Sequence, residues 1–263
     1  MNFLLLFFIL CSTQKTPFAL ETIKSPFPSN SRWSSHNPEN IQDLLNQKFY
    51  YFCEGSQSFS FRSEDGELIL KFFKQNKFFS KKEHRKVRTR KRDWLFKSYK
   101  IAGERFRKET GLLYLHLVPN DGFSKQVTIV DEHQNAYTFD LGDFQFVLQR
   151  YAHLVVNEIA RVMDREDEEA AKKIIDKIFV FFRKRIARGI GDSDPSILTN
   201  LSLTKDDEVI QIDLGKFFFT MRKQKNKNLI GKKNEKAFSV WLEERYPSLH
   251  AYYLESLKKF TKS

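Results

Sequence analysis

Cysteine is scarce: Cys11 and Cys53 are the only two among 263 residues. Such a pair supplies neither a disulfide framework nor zinc-type spacing, and Cys53 reads as a small buried hydrophobe. Also missing is an apolar run long enough for a membrane-spanning helix. Phe3 to Cys11 (FLLLFFILC) has nine residues, against roughly 20 for a bilayer. That length fits the apolar centre of an export signal, although no Lys or Arg precedes it and Phe8-Ile9-Leu10 is a poor lipobox before Cys11. Residues 1–19 are therefore read as a signal or anchor segment. Used as such, they give an exported or membrane-associated protein; otherwise the expected location is cytoplasmic. No internal repeat is visible, which excludes solenoids and arrays.

What the chain has in excess is phenylalanine, at 27 residues, and positive charge, at a net +12. Its length suits one large domain or two joined lobes with a sizeable core. The charge favours anionic partners without choosing among them.

Residues 20–40 are rich in Ser, Pro and Asn and read as a linker, so order is expected to begin near Ile41. From Phe49 the pattern is strand-like. Phe49 to Phe52 and Phe59 to Phe61 flank a Gly/Ser turn. Ser63-Glu64-Asp65-Gly66 carries the hairpin signal of Asp-Gly, and Leu68 to Phe73 returns. Residues 81–109 read as a helix. Further strands are expected at 113–118, 127–130, 137–141 and 144–148. Ala171, Ile174, Ile175, Ile178, Phe182 and Ile186 mark one buried face of a long helix. A strand pair then straddles Leu201 and Val209–Ile212, and amphipathic helices surround Trp241 and Tyr252.

Three separated sites fit one chemistry. Gly55, Ser56, Gln57 and Ser58 form a loop whose backbone N–H groups can approach phosphate oxygens, and Lys71 follows on a strand as a fixed cation. Gly191-Asp192-Ser193-Asp194-Pro195 follows the long helix, with Asn200 six residues beyond Asp194 and eight beyond Asp192. Asp213-Leu214-Gly215 ends the strand Val209–Ile212, thirteen residues past Asn200. Asp140-Leu141-Gly142 repeats the triplet without that context.

In this order the motifs resemble those of the protein-kinase-like superfamily, as an atypical kinase or a pseudokinase, over residues 41–220. The resemblance implies an α+β, two-lobed fold: an antiparallel sheet and one helix over 41–150, then a reduced helical lobe over 151–263. It implies ATP and Mg²⁺ as cofactors, held between the lobes. Lys71 then meets the phosphates, Asn200 and Asp213 bind the metal, and Asp194 or Asp192 takes the acceptor's proton. Glu104, in preference to Glu109, pairs with Lys71. Gln149, in the strand running into Tyr151, lies where adenine meets the backbone. The chain departs from the family in keeping one glycine in its loop, in lacking His-Arg-Asp, and in having no Ala-Pro-Glu after Gly215. Two functions stay open: an ATP/Mg-dependent phosphotransferase acting on a protein, lipid or small molecule, and an inactive pseudokinase serving as a nucleotide-binding or basic interaction module.

Two basic stretches stand apart from these motifs, Lys81–Arg92 and Arg222–Lys236. The first precedes Trp94 and Phe96, a combination suited to an anionic membrane surface or to an acidic partner. No nucleic-acid recognition motif accompanies either.

Overall fold

The computed structural model describes residues 17–38, 40–75, 85–220 and 232–262. Phe3–Cys11 and most of Arg222–Lys236 lie outside them. The chain divides into two compact units, one running to Glu104 and including Leu112–Tyr151, the other comprising Arg105–Gly111 and everything from Ala152 onward.

The first unit opens with a short helix, α1 (Leu20–Ile23). Three strands follow, β1 (Lys48–Glu54), β2 (Ser58–Ser63) and β3 (Leu68–Phe73), then a long helix, α2 (Arg85–Arg105). The remaining strands are β4 (Leu112–His116), β5 (Gln126–Val130), β6 (Ala136–Asp140) and β7 (Phe146–Arg150). All seven form one sheet, ordered β4-β7-β3-β2-β1-β5-β6. The expectation of a wholly antiparallel sheet is thus corrected. Five strands are antiparallel, but the β5–β6 hairpin joins beside β1, and β1 pairs with β5 in parallel. A parallel neighbour needs a long connection, and here the chain between them includes β2, β3, α2 and β4.

The sheet buries different residues on its two faces, because side chains alternate along each strand. Leu70 and Phe72 of β3 join a core with Phe49, Phe59, Phe61, Phe146 and Leu148. The supposed linker and the end of the segment read as a signal or anchor both contribute to that core. Phe18 and Ile23 belong to it, and Phe18 meets Phe59 and Phe61 edge-on at 5.4 and 5.1 Å. The average polarity of 20–40 hid Ile23, and the reading of 1–19 as a signal or anchor hid Phe18. On the other face, Phe73 packs on Phe96 and Tyr99 of α2 at 5.5 and 5.0 Å.

The second Asp-Leu-Gly, at 140–142, is a turn. Asp140 Oδ1 accepts from Gly142 N at 2.8 Å. A Cβ at Gly142 would fall 1.9 Å from the Phe123 carbonyl oxygen. Gly142→Ala is therefore expected to cost about 2 kcal/mol or more, since an overpacked backbone must shift. Urea unfolding monitored by circular dichroism reads this loss, and an unchanged midpoint would refute the packing argument.

The second unit begins with β8 (His153–Leu154), α3 (Val155–Met163) and α4 (Glu168–Ala187). Asp167 caps α4, its side chain accepting from Ala170 N at 2.9 Å. Ala171, Ile174, Ile175, Ile178 and Phe182 of α4 are buried, as their spacing demands. Next come β9 (Ile190–Asp192), α5 (Ile197–Asn200), β10 (Leu201–Leu203), β11 (Val209–Gln211) and β12 (Phe217–Phe219). They form two small sheets, β11-β10-β8 and β12-β9. Helices α6 (Lys232–Arg245) and α7 (Pro247–Lys262) close the unit. Phe179 of α4 meets Tyr253 and Phe260 of α7 at 5.8 and 5.3 Å. Among the described residues, no helix is long and apolar enough to cross a membrane.

Candidate functional site

In the second unit, α4 turns at Gly189 into β9, and β9 delivers the Asp192–Pro195 segment. A Cβ at Gly191 would lie 2.4 Å from the Phe218 ring on β12, so a larger residue there would have to push that ring aside. The two aspartates that follow have opposite fates. The Asp192 side chain is buried, and one carboxylate oxygen, Oδ2, accepts from Arg185 Nη1 at 3.3 Å and from Gln211 Nε2 at 2.6 Å. Its Oδ1 accepts from the Asp194 backbone N–H at 2.9 Å. Asp194 itself is exposed. As a candidate to receive an acceptor's proton, Asp192 is therefore set aside: it is an anchor beneath the loop. Spacing to Asn200 also favours Asp194, which lies closer to the kinase pattern.

Further bonds tie this loop to the other two motif residues. Asn200 Nδ2 donates to the Asp194 carbonyl at 2.8 Å, and Asn200 Oδ1 accepts from the Thr199 hydroxyl at 2.9 Å. Across the β10–β11 hairpin, Ile212 N donates to the Asn200 carbonyl at 2.8 Å. Gln211 Nε2 bonds the Asp213 carbonyl at 3.0 Å as well as Asp192. Asp213 then folds into a tight turn, with Oδ1 accepting from Gly215 N at 3.0 Å. The three segments form one hydrogen-bonded assembly. Sequence reasoning missed Arg185 and Gln211, which hold it together. A signal for Arg185 was present: it falls seven residues after Ile178 and three after Phe182, on the apolar face of α4.

The electrostatics follow from burial. Desolvation, above all, raises the Asp192 pKa. Arg185 and the two hydrogen bonds oppose that shift, and the nearby negative charge of Asp213 adds to it. Burial likewise pulls Arg185 down to about 10, against the pull of Asp192.

The donors available for a cation are hard oxygens: the carboxylate of Asp213 and the carboxamide oxygen of Asn200. No group of three or more His, Cys, Asp or Glu side chains suited to a metal occurs among the described residues. A protein-only cage is thus absent among them. Asp213 and Asn200 carry oxygens of the kind that Mg²⁺ takes, an ion that binds through one or two carboxylates, keeps several waters and takes further oxygens from phosphates.

In the first unit, Gly55–Gln57 connect β1 to β2. Gly55 N donates to Ser58 O, and Lys74 N donates to Gln57 O, both at 2.8 Å. Gly55 has no steric need to be glycine, since a Cβ would find its nearest atom 3.9 Å away. Beside this loop lies a buried ion pair that the sequence did not announce, Lys74 Nζ to Glu54 Oε2 at 2.5 Å, with the ammonium 4.5 Å from the Phe59 ring centre. Lys71 is half-buried on β3, opposite Ser60 and Val147, on the strand face that carries Phe73 against α2.

Two expectations in this unit are corrected. Glu104 does not pair with Lys71: its side chain is 51% exposed and meets Lys100 at 3.6 Å, one turn back on α2. Gln149 is buried in an interior strand between Ile69 and Leu112, so it offers no strand edge to an adenine. In the second unit, Glu109 is buried and bonds Arg188 at 2.9 Å.

No family model matches the chain, and no curated protein matches it. Among solved structures 38 chains match. One, the crystal structure of WbdD, is similar at a TM-score of 0.35 and 12% identity, over 79% of this chain and 44% of that one. The chain thus spans less than half of that protein's length. A likeness this weak carries no argument about function, which rests on the residues themselves.

Proposed function

We propose that this chain is an ATP- and Mg²⁺-dependent phosphotransferase of atypical protein-kinase-like design. One observation carries the reading: an exposed aspartate, Asp194, held by Asn200, and an acidic turn, Asp213-Leu214-Gly215, held across a two-stranded hairpin from Asn200. Asp213 and Asn200 would hold Mg²⁺. Bound there, the ion would neutralise charge on the phosphates. Asp194 would orient the acceptor and accept its proton. In the first unit, Lys71 would supply a fixed cation for the phosphates. Arg185 and Gln211 hold the acidic loops in register.

A second reading, a nucleotide-binding pseudokinase, draws on the 55–58 loop. Its Gly55 N–H is spent on Ser58 O, leaving fewer donors for phosphate.

Mg·ATP at about 5 mM should raise the melting temperature of the wild type, because a ligand that binds only the native state stabilises it. Asp213→Ala and Lys71→Ala should each erase most of that shift. Transfer of labelled phosphate to protein, lipid and sugar panels then separates enzyme from pseudokinase. A wild type whose melting is indifferent to Mg·ATP would eliminate both readings.

A further inference from the structure

We infer that the solvent face of α2 is a docking surface for anionic lipid headgroups, separate from the phosphotransfer residues. Residues 85–97 contain seven Lys or Arg (Arg85, Lys86, Arg88, Arg90, Lys91, Arg92, Lys97) and one acid, Asp93. Tertiary packing decides which of these face water. One flank of α2 is covered by the N-terminal segment. Arg92 is buried over the Phe27 ring at 4.1 Å, Trp33 meets Phe96 at 5.5 Å, and Lys100 reaches the Arg32 and Ser34 carbonyls at 3.2 and 3.0 Å. Asp93 is engaged on the same flank by Arg32 and Arg92. Arg90, Lys91 and Lys97 are exposed, and so are Val87 and Trp94, each at 42%.

At about 100° per residue these five positions fall within an arc of roughly 120° on the helix. Glu104, at the far end of that side, is met by Lys100. The face is therefore cationic, with a valine and a tryptophan standing seven residues apart along it. An acidic protein surface would satisfy the cations, but it offers Val87 and Trp94 no apolar medium. A nucleic acid would satisfy the cations through its phosphates, but no recognition motif accompanies them, and it offers Val87 no apolar medium. A bilayer interface meets both halves of the pattern. Anionic headgroups attract the lysines and arginines, and the headgroup–acyl boundary accepts tryptophan and aliphatic side chains.

The test uses the full chain and extruded vesicles, one set of phosphatidylcholine alone and one containing about 30% phosphatidylglycerol. Co-sedimentation should require the anionic lipid and weaken steeply with salt, as screening demands. The charge reversal R90E/K91E/K97E should lower partitioning at least about ten-fold, given the attraction each basic residue near such a surface contributes. Trp94→Ala should lower it by a smaller factor. Tryptophan emission should shift to the blue on vesicles in the wild type and not in Trp94→Phe. All the substituted side chains are exposed, so melting temperatures should match the wild type and report that the variants fold. Equal partitioning of the triple variant would overturn the inference, assigning any binding to another segment such as Phe3–Cys11. So would wild-type binding to polyglutamate or RNA with no uptake by anionic vesicles.

Discussion

Arg185→Leu should cost about 3–5 kcal/mol of stability at neutral pH, because it leaves a buried carboxylate without its counter-ion. Arg185 and Asp192 have side-chain exposures of 1% and 0%, so water cannot substitute for the lost partner. The loss should also depend on pH. Burial already raises the Asp192 pKa, and Arg185 is the strongest influence opposing that rise. Without it the carboxyl should titrate higher still. For a group whose folded pKa lies above its unfolded value, the linked stability is fully present below the unfolded value. It fades as pH rises through the folded one. The deficit of Arg185→Leu should therefore shrink from about pH 8 toward about pH 5, as Asp192 takes up a proton. The double variant Arg185→Leu/Asp192→Asn should recover much of the loss at neutral pH, since a neutral amide needs no counter-ion. Urea unfolding of all three proteins at both pH values reads this cycle. A deficit independent of pH, with no recovery in the double variant, would show that Arg185 acts through packing alone.

Asp194→Asn should lower phosphate transfer by about 10²–10⁴-fold, the range that positioned acid–base groups supply, while changing Mg·ATP affinity less than about two-fold. The asymmetry follows from how the residue is held. Its backbone is fixed on both sides, N–H to Asp192 Oδ1 and carbonyl to Asn200 Nδ2 and Ser196 N. Its side chain faces solvent. Asparagine preserves the backbone bonds and nearly the shape, so a drop confined to kcat identifies a group acting on the acceptor. Parallel losses in kcat and nucleotide affinity would make Asp194 a structural residue.

The parts of this molecule that were readable beforehand are those governed by local rules. The rhythm from Ala171 to Phe182 placed α4, and its buried face follows from the 3.6-residue repeat. Asp65-Gly66 placed the β2–β3 turn, where Gly66 sits at φ +77°. Asp213-Leu214-Gly215 stands apart from its twin at 140–142, which also ends a strand hairpin, because Asp194 and Asn200 precede it, and the two turns differ in what they serve. The twin closes against Phe123, and the first joins the Asp192–Asn200 assembly.

The misreadings share a cause. Glu104 and Glu109 lie five residues apart at a helix end, and no local pattern says which turns inward. The end of α2 at Arg105 leaves Glu104 in water, and Arg188, arriving from the end of α4, makes burial of Glu109 affordable. The parallel β1–β5 pairing escaped because strand neighbours are chosen by long-range contact, while the alternation of side chains is the same for either orientation.

By itself, then, the sequence determined where the longer helices and strands form, which faces of α4 and β3 are apolar, and which oxygen-bearing residues recur at suggestive spacing. Those properties depend on dihedral preference and periodicity within a few residues of one another. Tertiary structure alone decided that Asp192 is an anchor and Asp194 the exposed acid, that Phe18 and Ile23 belong to a core, and that α2 turns cations and Trp94 to solvent. Each of these depends on whether a charge or a ring is withdrawn from water. That is set by partners far away in the chain: Arg185 and Gln211 around Asp192, Phe59 and Phe61 around Phe18, Phe27 over Arg92.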